Sequence, residues 1–195
     1  GFITVNEEKM SKSLGNFFMV IDILEHYEPE TLRFFILSTH YRSPLDFSDE
    51  RLAEAQRSLS RLKTAQENLQ ALMALMNAGP TEESLKLRRK VLELSNEFME
   101  AMRDDFNTAL AISHMFALAK EINIYHQSIV SVGSKPDGKL VSILQSVFSE
   151  MCSIIGVLES TQGAVEAESC GLEEPLMEML IAMRQEARSN KDYAQ

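Results

Sequence analysis

Residues 48–80 read SDERLAEAQRSLSRLKTAQENLQALMALMNAGP, and this stretch decides the fold. Apolar residues recur in it every three or four positions, which is the spacing of one face of an α-helix. Ser48 is a favourable N-cap, and the pair Gly79-Pro80 ends the helical pattern. The apolar positions of this predicted helix are Leu52, Ala55, Leu59, Leu62, Ala65, Leu69, Leu72 and Leu75. A stripe of this length indicates that the helix packs against other helices.

Further helices are predicted on the C-terminal side of this stretch. Thr81 caps the next helix, and the polar residues 104–108 predict a turn after it. Residues 131–138 form a loop before a helix over about 140–158. The apolar positions of the two middle helices include Leu85, Val91, Leu92, Phe98, Leu110, Phe116, Leu118 and Ile122. A linker over about 160–174 and a last helix over about 175–193 complete an antiparallel helical bundle with short connections.

The N-terminal quarter has a different pattern, which predicts the end of an α/β domain. Residues 2–5 predict a short strand, and residues 6–18 predict a loop. A short helix over 20–27 is followed by a helix that begins at Pro29, and residues 41–48 form a linker. The apolar side of the second helix contains Leu32, Phe35, Ile36 and Leu37. We therefore expect a mainly α chain with two parts, residues 1–47 and the bundle domain of residues 48–195.

Composition excludes several classes of protein. The 195 residues include 45% hydrophobic and 25% charged residues, as in soluble globular chains. Only two cysteines are present, too few for a disulfide scaffold or a four-cysteine zinc site. No apolar run approaches the roughly 20 residues of a membrane span. We therefore expect a cytoplasmic location, and the start at Gly1 without a methionine indicates a piece of a larger protein.

Net charge bears on possible nucleic-acid partners. The chain has a formal net charge of −10, which disfavours non-specific binding to DNA or RNA. Residues 51–110 are neutral overall and contain most of the arginines. This middle section is therefore the better candidate for contact with a polyanion.

A polar loop near the start contains the candidate chemistry. Residues 9–13 read KMSKS and are followed by Leu14-Gly15-Asn16. Two lysines three positions apart flank small hydroxyls, so the loop can bring ammonium groups and N–H donors onto a polyphosphate. Cations held beside a departing pyrophosphate lower the barrier to its release. The alternative, favoured by composition alone, is a solvated surface loop.

The complete pentapeptide resembles the signature loop of class I aminoacyl-tRNA synthetases. Longer blocks are similar to the cysteinyl-tRNA synthetase family in particular, in the same order and spacing. These blocks are KMSKSLGNF at 9–17, PETLRFFILS at 29–38, HYRSPLDFS at 40–48, AMRDDFNT at 101–108 and ARSNKDYA at 187–194. The resemblance covers nearly the whole chain and implies the end of a class I catalytic domain followed by a helical bundle.

The chain also departs from the family pattern. Arg103 stands where the family usually has an additional aspartate. The family's second nucleotide motif, HIGH, does not occur in the sequence, and neither do its zinc-binding cysteines and histidines. We expect both upstream of Gly1, and a small anticodon-reading domain after Gln195. The expected segment therefore runs from the signature loop to the end of the bundle, and we expect it to be inactive alone.

The resemblance implies an activity and roles for the loop residues. The family joins cysteine to ATP with Mg²⁺, releases pyrophosphate, and transfers the cysteinyl group to the 3′ end of tRNA(Cys). By resemblance Lys12 stabilises the leaving pyrophosphate, and Lys9 assists it. Ser11 and Ser13 offer donors to ATP, and Met10 anchors the loop beside it. Zinc is expected in the parent enzyme, with no ligand from this chain.

Asn16 either holds the loop through side-chain hydrogen bonds or is an ordinary turn asparagine.

The resemblance also implies contacts with tRNA. Residues 29–48 would lie at the tRNA stem, between the catalytic domain and the bundle. Arg33 and Arg42 are candidates for phosphate contacts there, and a structural ion pair is the alternative for each. Arg57 and Arg61 share one helix face, for which a solvated face is the alternative. We expect a monomer, with no DNA or membrane partner.

Other reactive side chains have structural interpretations. Asp104 and Asp105 resemble an acid/base pair, but with Asn107 and Thr108 they are expected to cap a helix and form a turn. Cys152 lies in an apolar helical run and is expected to be buried and inert. Cys170 lies in the predicted linker and is expected to be an exposed thiol.

Two alternative functions remain open. The first is a related ligase that joins cysteine to an amino-sugar, which shares the loop but has no use for tRNA. The HYRSPLDFS block disfavours it. The second is a free-standing helical interaction or RNA-binding module, against which the intact loop argues.

Overall fold

A computed structural model describes residues 3–5, 8–11, 13, 16, 19–75 and 78–158. Strand β1 spans Ile3–Val5, and strand β2 spans Glu8–Lys9. Strand β3 spans Leu45–Phe47. The sheet order is β2-β1-β3, with β1 antiparallel to β2 and parallel to β3. The predicted first strand is therefore confirmed over Ile3–Val5.

Two of these strands correct the sequence analysis. Strand β2 lies in the predicted loop 6–18, and β3 lies in the predicted linker 41–48. Strands of two or three residues are too short for a recognisable alternation. They form because each pairs with β1. The pairing of β3 with β1 joins residues about 42 positions apart.

Two short helices follow the loop. Helix α1 spans Val20–Leu24, and helix α2 spans Pro29–Leu37 with proline in its first turn. Helix α2 buries Phe34 and Phe35, whereas Ile36, predicted on its apolar side, is exposed.

Within the described residues, four long helices form the bundle. Helix α3 spans Asp49–Ala74, and α4 spans Glu82–Arg103. Helix α5 spans Thr108–Val132, and α6 spans Gly138–Ile155. Helix α4 packs on α5 and α6, and α3 packs on α2 and α5. The predicted bundle is confirmed for these helices, whereas the predicted linker 160–174 and helix 175–193 lie outside the described residues.

The predicted apolar stripe of α3 is the centre of the core. Seven of its eight positions, from Leu52 to Leu72, are buried. The eighth, Leu75, is the C-cap residue and is exposed. Leu85, Leu92 and Leu110 are also exposed, contrary to the prediction, because they lie on helix faces turned away from the buried positions of α4 and α5. One core continues from Val5 to Leu158 and includes side chains from β1, β3 and α2 to α6.

The helix boundaries follow from local capping. Ser48 accepts a hydrogen bond from the Arg51 amide, and Thr81 forms a capping box with Ser84. Both predicted caps are therefore confirmed.

Helix α6 is the one described helix that is long and apolar enough to cross a bilayer. Eight of its side chains are buried in the bundle, from Leu140 to Ile155. Packing within the protein therefore accounts for its apolar composition.

Candidate active site

The start of the KMSKS loop is held on the sheet. Lys9 pairs with Thr4 in the ladder between β2 and β1, and its side chain is exposed. The Met10 amide donates a 3.3 Å hydrogen bond to the Ile3 carbonyl. The Met10 side chain is half-buried and packs against the core. The loop therefore leaves the sheet with a fixed backbone direction, and Lys9 faces solvent.

Asn16 bridges two peptide groups of this loop. Its Oδ1 accepts a 2.8 Å hydrogen bond from the Ser11 amide, and its Nδ2 donates to the Lys9 carbonyl at 3.2 Å. The Ser11 and Ser13 hydroxyls lie 3.1 Å apart and share a hydrogen bond. The first interpretation of Asn16, as the residue that holds the loop, is confirmed. Lys12 lies outside the described residues.

The sheet joins the loop to the HYRSPLDFS block. The Thr4 hydroxyl donates a 2.8 Å hydrogen bond to Asp46 on β3. Val5 and Phe47 are buried at the end of the same strand pair. The rings of Phe35 and Phe47 meet edge to face, with centroids 6.1 Å apart. Through these contacts the bundle core supports the loop.

A second junction connects the same block to the DDFNT turn. Asp105 accepts hydrogen bonds from the Tyr41 hydroxyl at 2.6 Å and from Arg42 Nη2 at 3.0 Å. The ring of His40 stacks on Tyr41, with centroids 4.9 Å apart. The hydrogen bond to Tyr41 and the charge of Asp105 raise the pKa of Arg42. Arg42 therefore has the ion pair that the sequence analysis gave as the alternative to a phosphate contact.

The turn itself has the predicted capping role. Asp104 is the C-cap of α4, and Asn107 Oδ1 accepts from the Leu110 amide at the start of α5. Asp105 and Phe106 both have positive φ, at 55° and 52°. Left-handed backbone is uncommon for a residue as large as phenylalanine, so the turn is tightly specified by its surroundings. Sequence reasoning missed the long-range contacts of Asp105, for which only the DDFNT block gave a signal.

The other candidate arginines differ in their surroundings. Arg33 Nη1 donates a 2.6 Å hydrogen bond to the Gly156 carbonyl at the end of α6. The Arg61 guanidinium lies over the Phe116 ring, 5.3 Å from its centroid. Within the described residues the exposed side chain of Arg57 has no hydrogen bond or ion pair. Arg103, at the family's aspartate position, pairs with Glu100 at 2.6 Å.

A buried polar cluster at the other end of the bundle was not predicted. Asp137 is 3% exposed and accepts hydrogen bonds from Ser84 at 2.7 Å and from Arg88. The Tyr125 hydroxyl accepts from the Asp137 amide at 2.9 Å. Burial by itself would raise the pKa of Asp137, but the bonds from Ser84 and Arg88 outweigh it and lower the pKa. The signal in the sequence was the position of Asp137 before Gly138, where it caps α6.

No group of three His, Cys, Asp or Glu residues lies close enough to hold a metal ion in the described part of the chain. These residues do not fit a zinc site. Cys152 is buried, as predicted, and burial raises the pKa of its thiol to about 12. Cys170 lies outside the described residues.

Two known family models match separate parts of this chain. Residues 1–57 match the model described as the tRNA synthetases class I (C) catalytic domain. Residues 97–159 match the model of the DALR domain. The first range includes the loop and the sheet, and the second begins just before the DDFNT turn.

Curated relatives extend the similarity to the whole chain. A protein named cysteine–tRNA ligase from Desulforamulus reducens is 43% identical over 208 residues, covering 100% of this chain and 42% of the relative. Proteins of the same name from Pelotomaculum thermopropionicum and Heliobacterium modesticaldum are 43% and 42% identical. They also match 100% of this chain, with 41% and 40% of their own length. The chain thus spans about two fifths of the length of these curated relatives.

A solved structure has a similar fold. It is the agnB2 LeuRS of Agrobacterium radiobacter K84 in a ternary complex with tRNA and LeuAMS. The TM-score is 0.58 at 18% identity, over 82% of this chain and 22% of that one. The two family models and the alignments with named ligases agree, and the chain is homologous over its whole length to proteins of the cysteinyl-tRNA synthetase family.

Proposed function

We propose that this chain is the loop and bundle section of a cysteine–tRNA ligase. In the first step of its reaction, the cysteine carboxylate attacks the α-phosphate of ATP, and pyrophosphate leaves. In the second step, the 3′-terminal ribose hydroxyl of tRNA(Cys) attacks the cysteinyl carbonyl, and AMP leaves. Positioning of the reactants and stabilisation of charge supply most of the catalysis in such reactions.

The strongest argument for this proposal is the way in which the backbone of the KMSKS loop is held in place. Its backbone is held on β1 and by Asn16, while Lys9 is exposed. A fixed backbone with a solvent-facing ammonium group at Lys9 suits the recognition of a mobile polyphosphate.

The roles within the loop follow from charge and position. Lys12 stabilises the pyrophosphate as it leaves, and Lys9 assists it. Ser11 and Ser13 supply hydroxyl or amide donors to ATP, and Met10 anchors the loop in the core. ATP would arrive with Mg²⁺, which the phosphates themselves can hold.

Binding of tRNA is assigned to the bundle side. Arg57 and Arg61 lie one turn apart on α3, both exposed, and Arg57 is available for a phosphate. Arg33 and Arg42 would approach the tRNA stem from α2 and the segment after it. Because both already have protein partners, their contribution is expected to be smaller than that of Arg57.

The organisation of the parent enzyme completes the proposal. Residues 1–47 would belong to the catalytic and stem-contact part, and residues 48–195 to the bundle domain. Zinc, if the parent enzyme uses it to select the thiol of cysteine, would have its ligands outside this chain. We expect a monomeric, cytoplasmic enzyme, and no adenylate formation by this chain alone.

Amino-acid-dependent exchange of pyrophosphate into ATP tests the proposal in a full-length enzyme that contains this chain. Exchange that requires cysteine, followed by charging of tRNA(Cys), is the expected result. Exchange without charging would favour the amino-sugar ligase. No exchange with any amino acid would contradict both ligases.

A further inference from the structure

The side chain of Asn16 makes two hydrogen bonds to the backbone of the KMSKS loop. Its carboxamide contacts the peptide groups on both sides of Met10, accepting from the Ser11 amide and donating to the Lys9 carbonyl. A planar amide is the side-chain group that presents a donor and an acceptor side by side. Neither a carboxylate nor an alkyl group of the same shape can make both bonds.

The segment that Asn16 bridges is anchored at two further points. The Met10 amide donates to the Ile3 carbonyl, and the Met10 side chain packs against the core. Lys9 is held by its ladder partner Thr4, and Thr4 is bonded in turn to Asp46. Asn16 thus completes a continuous connection from the bundle core to the peptide group of Ser11.

We propose that Asn16 is a positioning residue for adenylate formation, acting through the backbone of residues 9–11 on the lysines of the loop. This inference rests on the proposed function. Lys12 follows Ser11 directly in the chain, so a fixed Ser11 peptide reduces the conformations from which Lys12 must reach the pyrophosphate. A cation already in place stabilises the transition state without reorganisation.

The test uses Asn16→Ala and Asn16→Leu in a full-length enzyme that contains this chain. The alanine variant removes both hydrogen bonds, and the leucine variant removes them while keeping the shape. Asn96→Ala, at an exposed position of α4, is the matched control. Pyrophosphate exchange is measured over ranges of ATP and cysteine. Loss of two hydrogen bonds to the loop is expected to lower kcat by about tenfold to a hundredfold in both variants.

The Michaelis constant for cysteine separates positioning of the loop from general damage to the enzyme. The KM for cysteine is expected to stay within about twofold of wild type, because Asn16 acts only on the ATP loop. A double-mutant cycle with Lys12→Ala gives a second readout. If Asn16 acts through Lys12, then Asn16→Ala lowers kcat far less in the Lys12→Ala background than in wild type.

The outcomes separate this inference from the proposed function. Absence of cysteine-dependent exchange in the wild type would contradict the proposed function itself. If the wild type is active and kcat of both variants stays within threefold of the wild-type value, only the role of Asn16 is overturned. Additive effects of Asn16→Ala and Lys12→Ala in the double-mutant cycle would overturn it as well. Hydrogen exchange of the peptide over residues 8–17 detects unfolding. Faster exchange confined to that peptide supports the inference, and faster exchange throughout the protein overturns it.

Discussion

The hydroxyl of Tyr41 donates a 2.6 Å hydrogen bond to the carboxylate of Asp105, 64 residues further along the chain. This bond joins the segment between α2 and β3 to the turn between α4 and α5. Two of the sequence blocks that resemble the cysteinyl-tRNA synthetase family, HYRSPLDFS and AMRDDFNT, therefore meet in space. Asp105 accepts hydrogen bonds from both Tyr41 and Arg42.

Replacement of Asp105 tests this junction. Asp105→Asn keeps a residue that tolerates the left-handed backbone but removes the charge that Tyr41 and Arg42 contact. The expected loss of stability is about 1 kcal/mol, since the site is partly exposed and the bonds are charge-assisted. Urea unfolding measures it, and Asp104→Asn is the control. Equal effects at the two positions would show that the contacts of Asp105 contribute nothing.

The buried pair of Arg88 and Asp137 predicts a specific pH dependence. Because the folded pKa of Asp137 lies below its ordinary value of 3.8, the ionised carboxylate adds stability that is fully present above that pH. The contribution is lost as the pH falls through the folded pKa. Asp137→Asn keeps a capping oxygen but leaves Arg88, only 17% exposed, without its counter-charge. It should cost about 2–3 kcal/mol at pH 7.

Urea unfolding of wild type and Asp137→Asn from pH 7 to pH 3 checks this prediction. The difference between them should be constant above about pH 5 and should shrink below pH 4. Asp137→Ala should cost about 1 kcal/mol more, because the N-cap of α6 is also lost. A difference independent of pH down to pH 3 would exclude the ion pair as its source.

Two glycines provide a matched test of the contact between Arg33 and α6. Gly133 and Gly156 both end helices with positive φ, at 65° and 71°. A Cβ at Gly133 meets open space, whereas one at Gly156 would lie 2.8 Å from Arg33 Nη1. Gly133→Ala should cost about 1 kcal/mol from the backbone alone. Gly156→Ala should cost about 1 kcal/mol more, because Arg33 must release the Gly156 carbonyl.

Thermal or urea unfolding of the two variants, each also made in an Arg33→Ala background, isolates the contact. The extra cost at Gly156 should disappear without Arg33. Persistence of that extra cost would assign it to the backbone of α6 instead.

Thiol reactivity should differ sharply between the two cysteines. Burial raises the pKa of Cys152 to about 12, so almost no thiolate forms at pH 8. We expect one fast-reacting thiol with a disulfide reagent in the native protein, from Cys170, and two after denaturation. Cys170→Ser should abolish the fast phase. A fast phase that survives this change would mean that Cys152 is accessible.

Sequence patterns predicted the helices well because their causes are local. The stripe from Leu52 to Leu72, and the caps at Ser48 and Thr81, depend on residues within one or two turns. Strand β3 has only three residues and depends on pairing with a strand 42 positions earlier, so no local pattern predicted it.

The candidate site was predictable in part for the same reason. The bonds of Asn16 join residues five and seven positions apart, and the loop sequence was sufficient to suggest them. The hydrogen bonds of Asp105 to Tyr41 and Arg42, and of Asp137 to Arg88, span 49 to 64 residues, so the fold had to be known first. The exposed leucines at positions 85, 92 and 110 show that an apolar residue in a helix need not belong to the buried stripe.

The most direct test of the account is the rate of cysteinyl-adenylate formation in a single turnover, compared between the wild-type full-length enzyme and its Lys12→Ala variant. The central claim is that residues 9–13 stabilise the pyrophosphate as it leaves. The variant should form adenylate on the order of a hundredfold more slowly, with unchanged unfolding behaviour and unchanged transfer of preformed adenylate to tRNA(Cys). An adenylation rate equal to that of the wild type would contradict the claim.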